Sequence, residues 1–226
     1  MSGVPPLFLL RRSFMNMMIR PVIPDISNFS VDNWLAVSNI VILIAFSVLA
    51  AFCVSSFAAH QWKGSKGKTA LGFIGITIAF TMLLICFFGC TAITVRGIIF
   101  CLILLLSSYS DIRTRECSDW LHVMIVIAAF IGCDFANLPM MIVSAMFVGG
   151  IMLMTLLIAN CDIGGADIKC AVACSFLLGL ERCIIALVGG MLIAILLNAF
   201  KDKEKRRGGF PLIPYLTAGY LAVYLI

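Results

Sequence analysis

Charge is scarce in this sequence, histidine is scarcer, and a Cys-X-X-Cys pair is absent. Lys and Arg number 16 and Asp and Glu 11 in 226 residues, so 12% of the chain is charged while 62% is hydrophobic, and the mean hydropathy is +1.12. A soluble domain is only about half apolar. The shortage of polar side chains therefore excludes a water-soluble globular domain and leaves an integral membrane protein. The two histidines, His60 and His122, are each isolated, so neither builds a ligand set or a catalytic triad. The ten cysteines do not replace them. Cys53, Cys86, Cys90, Cys101, Cys133, Cys174 and Cys183 lie in or beside apolar runs, where Cys behaves as a small hydrophobe. Cys86 with Cys90, and Cys170 with Cys174, are spaced to share a helix face, but no His accompanies either pair. No metal, cofactor or required disulfide is expected. The formal charge of +5 sits in short clusters between apolar runs, which argues for membrane topology and against nucleic acid.

What the sequence has in abundance is apolar runs, bounded by charge or by Pro and Gly, at 35–59, 69–95, 97–109, 120–137, 140–159, 169–180, 183–200 and 211–226. They predict an all-α, polytopic membrane helical bundle of about eight transmembrane segments, forming one domain over 35–226 behind a tail over 1–34. Several runs fall short of the roughly 20 residues that a 30 Å hydrocarbon layer requires. The run at 97–109 is thus expected to extend into its charged flank, and the run starting at Lys169 to be a partial span. In the tail the apolar stretch precedes Arg11 and Arg12 and no small-residue cleavage site follows, so it reads as an interfacial segment broken by Pro21 and Pro24 and not as a signal peptide. The polar connections alternate. Lys63, Lys66, Lys68, Arg113, Arg115, Lys169 and the run "KDKEKRR" (201–207) fall on one side, and only Arg20, Arg96 and Arg182 on the other. The positive-inside bias makes the first side cytoplasmic.

Two acidic segments emerge on that side, "SYSDIRTRECSDWLH" (108–122) and "NCDIGGADIKC" (160–170). An ionisable group beside hydrocarbon costs several kcal/mol by most estimates, and is by default a functional candidate. Asp111 directly follows an apolar run, and Asp167 follows Gly164, Gly165 and Ala166, where glycine allows close backbone approach. Two carboxylates brought together where water is restricted do not both ionise easily, so the pair holds a single proton. Such a pair is an acid and a base in one site, suited to amide hydrolysis. On spacing alone the competing reading is two solvated helix-end carboxylates balancing Arg and Lys.

"DIRTRECSDWL" followed by "GGADIK" resembles the paired motifs of the type IV prepilin and preflagellin peptidases, membrane aspartyl proteases of the GxGD class. The resemblance implies that Asp111 and Asp167 are the catalytic pair and that Gly164, Gly165 and Lys169 frame the second motif. "FPLIPYLTAGYL" is similar to the family's closing Pro-rich segment through Pro211, Pro214 and Gly219. Ala166 stands where a Gly is usual. Cys117, Ser118 and Asp119 replace the usual Ile-Pro-Asn, so Ser118 or Asp119 is expected to cap the helix that begins near Trp120. The first cytoplasmic loop is only "HQWKGSKGK", without the zinc-binding domain of the longer bacterial enzymes. Those enzymes also N-methylate the new N-terminal residue with S-adenosylmethionine, and the resemblance here extends to cleavage rather than to that activity. It implies a bacterial inner-membrane endopeptidase with its site facing the cytoplasm, which removes the basic leader from a pilin-like precursor. Its partners are then that precursor and membrane lipid, with the oligomeric state left open.

Other features have plainer readings. Lys169 and Arg113 tune the aspartates or hold substrate, or are ordinary basic loop residues. Asp162, Glu116 and Asp119 read as solvated or capping groups. "GSKGKT" (64–69) ends like a phosphate-binding loop but lacks its first Gly and a preceding strand. "KDKEKRR" is a solvated anchor with access to anionic lipid. Gly149-Gly150 and Gly189-Gly190 permit close helix packing. A presenilin-like protease would carry its aspartates deeper in the spans. An ion-coupled transporter would carry ionisable groups near mid-span, where this sequence has almost none.

Overall fold

In lipid every backbone amide must find its partner within the chain, which makes apolar runs helical. The computed structural model describes residues 31–62, 65–159, 164–199 and 211–226. Among them there is no strand. The helices are α1 Val31–Gln61, α2 Lys66–Phe88, α3 Ala92–Thr114, α4 Asp119–Ala129, α5 Leu138–Ala159 behind a 3-10 turn at Phe135–Asn137, α6 Gly165–Leu178, α7 Leu180–Ala199 and α8 Ile213–Tyr224. The expected all-α bundle is what forms. The readings made for the tail, Lys63, Asp162 and "KDKEKRR" lie outside the described residues.

Among the described residues five helices, α1, α2, α3, α5 and α7, are long and apolar enough to cross a membrane. The other three have 11, 14 and 12 residues, so at 1.5 Å per residue each is only about 16 to 21 Å long. They do not span 30 Å alone, so among the described residues the expected eight crossings become five full ones and three short helices. Most of α3 is enclosed: 61% of its apolar window is buried, against 17–28% for the other four long helices. It packs against α1, α2, α4 and α8, while α4 and α8 also touch α6. Phe100, Leu104, Leu121, Ile125, Cys170, Cys174, Leu216 and Tyr220 are fully buried along this axis.

The break between α2 and α3 falls at Gly89 to Thr91, not at Arg96 where a charge had suggested a boundary. Gly89 has φ +65, a left-handed conformation that ends α2, and the Thr94 hydroxyl donates to its carbonyl. Arg96 is instead held inside the first turns of α3. Its Nε donates to the Tyr224 hydroxyl at 3.1 Å, and its guanidinium lies 5.8 Å from that ring's centre. The same hydroxyl donates to the Ile93 carbonyl at 2.8 Å, tying the end of α8 to the start of α3.

Helices α7 and α8 approach closely through two glycines. A Cβ on Gly190 would lie 2.9 Å from Leu216 Cα, and one on Gly219 would run into the Ala186 carbonyl. Gly189, by contrast, has open space beside it. The nine described cysteines are all free, with Cys86 and Cys90 exposed and Cys170 and Cys174 buried.

Candidate active site

The chain runs up and down, so the ends of α1, α3, α5 and α7 and the starts of α2, α4, α6 and α8 share one end of the bundle. Asp111 and Asp167 both lie there. Asp111 is in the last turn of α3, 8% exposed. Helix α3 stops four residues later because Arg115 turns into the left-handed region at φ 58. Ser110 donates to the Glu116 carbonyl at 2.7 Å and Thr114 to the Ser110 carbonyl at 2.9 Å, which binds the turn back onto the helix that carries Asp111.

The first amides of a helix have no partner within it. In α8 one of these is put to use: the Ile213 N–H donates to Asp111 Oδ2 at 3.1 Å, in a buried position. Pro214 occupies the first turn of α8, where its missing donor is harmless. One turn further in, the Ser108 and Thr217 hydroxyls are 2.7 Å apart. Helix α8 is thus joined to α3 at the carboxylate and again just above it.

Asp167 is the third residue of α6 after its N-cap, Gly164. An acidic side chain there reaches back to the N-cap backbone, as in one half of a capping box, and the Asp167 carboxyl does so with Gly164. A Cβ on Gly164 would lie 3.2 Å from Asp167 Oδ2, whereas one on Gly165 would meet nothing within 4 Å. The first glycine of the motif is therefore needed for room, and the second is not crowded. Burial pushes the Asp167 carboxyl up from its ordinary 3.8 to about 6, the Asp111 carboxylate acts in the same direction, and the Gly164 hydrogen bond opposes both. The two carboxylates thus sense each other across the seam where α4 and α8 bridge α3 and α6.

The remaining expected residues are placed differently. Lys169 forms an ion pair with Asp119 at 2.7 Å, both side chains being largely exposed, and this lysine holds the Asp119 carboxyl below its ordinary value. Arg113 stacks over the Tyr109 ring, 5.5 Å from its centre. Pro211 precedes α8 and Pro214 is its second residue, so the two flank Ile213. Ser118 is the N-cap residue of α4 but makes no side-chain capping bond, and Asp119 is engaged by Lys169 instead. Among the described residues no three His, Cys, Asp or Glu side chains form a metal-holding cluster.

Two contributors were not found from sequence. The Ile213 amide is a backbone group; the "PLIP" segment, which marks a helix start, was its only signal. His122 was set aside as isolated, yet it is 6% exposed on α4 and acts on Asp167.

Residues 98–199, from the early turns of α3 to the end of α7, match the type IV leader peptidase family. Neither the curated proteins nor the solved structures contain a match. The matched segment holds both aspartate motifs and ends before α8, so over these residues the chain is similar to the type IV leader peptidase family.

Proposed function

We propose that this multi-pass membrane peptidase is an aspartic endopeptidase in which Asp111 and Asp167 share one proton. The observation that carries the reading is the behaviour of Asp167, driven upward by burial and by the Asp111 carboxylate. Asp111, accepting the Ile213 amide, is the ionised member. It takes a proton from a water placed between the two groups, and the hydroxide so formed attacks the scissile carbonyl. Asp167, carrying the shared proton, hydrogen-bonds that carbonyl oxygen. Collapse of the tetrahedral species breaks the C–N bond and a proton passes to the leaving amine, giving a carboxylate and an amine.

The substrate proposed is a pilin-like precursor, cut between its basic leader and the apolar helix that follows, at the cytoplasmic face of a bacterial inner membrane. Lys66, Lys68, Arg113, Arg115 and Lys169 gather at the end of the bundle that bears the aspartates, and Arg96 and Arg182 lie at the other, which supports this orientation. Among the described residues charged side chains occupy only the end turns of helices and the connections, against the mid-span placement of an ion-coupled transporter.

The test uses the full chain in membranes with a labelled pilin-like precursor. Wild type should release the leader, while Asp111→Asn and Asp167→Asn should leave the precursor intact at equal protein levels. Normal processing by either variant overturns the reading. The mass of the new first residue reports whether it is also methylated.

A further inference from the structure

Helix α8 carries no acidic or basic side chain along its 12 residues, so what it brings to the aspartate pair is a backbone amide, the Ile213 N–H on Asp111 Oδ2. A hydrogen bond weakens steeply once it lengthens or bends, and this one therefore depends on the register of α8 against α3. Apolar side chains set register poorly in lipid, because a helix that slides from its neighbour meets tails as apolar as Leu. Polar contacts between helices set it instead. The glycine contacts at Gly190 and Gly219 fix α8 on α7, a helix that carries neither aspartate. The Tyr224 hydroxyl is held by Ile93 and Arg96, but Tyr224 lies roughly 16 Å along α8 from Ile213.

The contact nearest the site is the pair of buried hydroxyls, Ser108 Oγ and Thr217 Oγ1, 2.7 Å apart. Ser108 stands three residues before Asp111 on α3, and Thr217 four residues after Ile213 on α8. At 1.5 Å per residue these are steps of about 4.5 and 6 Å along the two axes. The helices run in opposite directions, so both hydroxyls lie one turn inward of the bond between carboxylate and amide. Hydroxyls elsewhere in the bundle are commonly spent within their own helix. Ser107, Thr114, Ser144 and Thr155 each donate to the carbonyl four residues back, a bond that fixes nothing about a neighbouring helix. Ser108 has the same choice in the Leu104 carbonyl and is turned to Thr217. Thr217 likewise reaches out of its own helix, its hydroxyl pointing at the Leu104 carbonyl of α3 at 3.5 Å.

We propose that Ser108 and Thr217 are positioning residues of the aspartate pair, whose hydroxyl bridge sets the register of α8 on α3 so that the Ile213 amide stands on Asp111. Neither needs to touch the substrate. Without the bridge α8 shifts by a fraction of its rise, the amide leaves the carboxylate, and Asp111 is free to turn away from Asp167. The inference rests on the aspartic reading above.

The test sets shape against hydroxyl in the full chain in membranes with a labelled pilin-like precursor. Thr217→Val keeps the shape and removes the hydroxyl, while Thr217→Ser keeps the hydroxyl and removes a methyl. Thr217→Val should lower kcat at least about tenfold with KM within about twofold, the signature of a misplaced reacting group, and Thr217→Ser should stay within about threefold of wild type. A role in packing alone ranks the two the other way. That reversed order, or equal activity in both, overturns the proposal. Ser108→Ala probes the same bond from α3, so it also serves if Thr217→Val does not accumulate. Its loss in kcat should match that of Thr217→Val, and the double variant should lose no more than either single one; losses that multiply overturn the proposal. Asp111→Asn and Asp167→Asn run alongside. Cleavage by either means that the aspartic reading has failed, whereas silence in both with wild-type rates in Thr217→Val and Ser108→Ala means that only this inference has.

Discussion

Replacing Asp167 by Asn should abolish cleavage and also make the protein more stable above pH 4 or so, with the gain complete a little above pH 6. The Asp167 carboxyl sits at about 6 in the folded chain against an ordinary 3.8, so the native state binds its proton more tightly than the unfolded chain does. The stability gained in this way is complete below pH 4 or so, and is lost progressively as pH rises from there through about 6. The pKa difference of about 2 corresponds to about 3 kcal/mol of destabilisation at pH 8. Asparagine has nearly the same shape and never ionises, so it escapes that penalty. For a chain of this size about 3 kcal/mol is a rise in Tm of about 6–12 °C. The assay is thermal unfolding of the purified full chain in mild detergent, wild type against Asp167→Asn, at pH 4 and pH 8. The variant should melt well above wild type at pH 8 and close to it at pH 4. An equal difference at both pH values, or a variant that melts lower at pH 8, would refute the claim that a buried carboxylate is held there against its preference.

Gly219→Ala should cost about 1–3 kcal/mol through overpacking, because the new methyl meets the Ala186 carbonyl. Since α8 also carries the Ile213 amide that holds Asp111, cleavage should fall at least tenfold in protein that still accumulates; wild-type cleavage and Tm together would contradict the packing. Lys169→Met should change stability by less than about 1 kcal/mol, the ordinary worth of an exposed ion pair, and leave leader release within about twofold. A hundredfold loss would place Lys169 in the chemistry instead.

Helix positions were largely legible in the sequence, because apolar runs leave lipid-embedded backbone no alternative. The errors came where charge was read as a boundary. Arg96 is a helical residue because Tyr224, far along the chain, supplies both a hydroxyl and a ring face, and no local pattern announces that. Asp111 and Asp167 stood out because two short motifs lie beside unmistakable apolar runs. Lys169 stood out too, but its ion pair with Asp119 did not, since the pair depends on how α4 and α6 align. His122 shows the limit most clearly: a lone histidine in an apolar run carries no signal until packing shows it buried.

The hydrogen bond between Asp111 and Ile213 joins residues 102 positions apart. A nascent chain halted before Pro211 would already display both acidic groups, yet would lack the amide that holds one of them in place. Assembly of the seam around Asp111 is thereby coupled to insertion of α8, the last of the described helices.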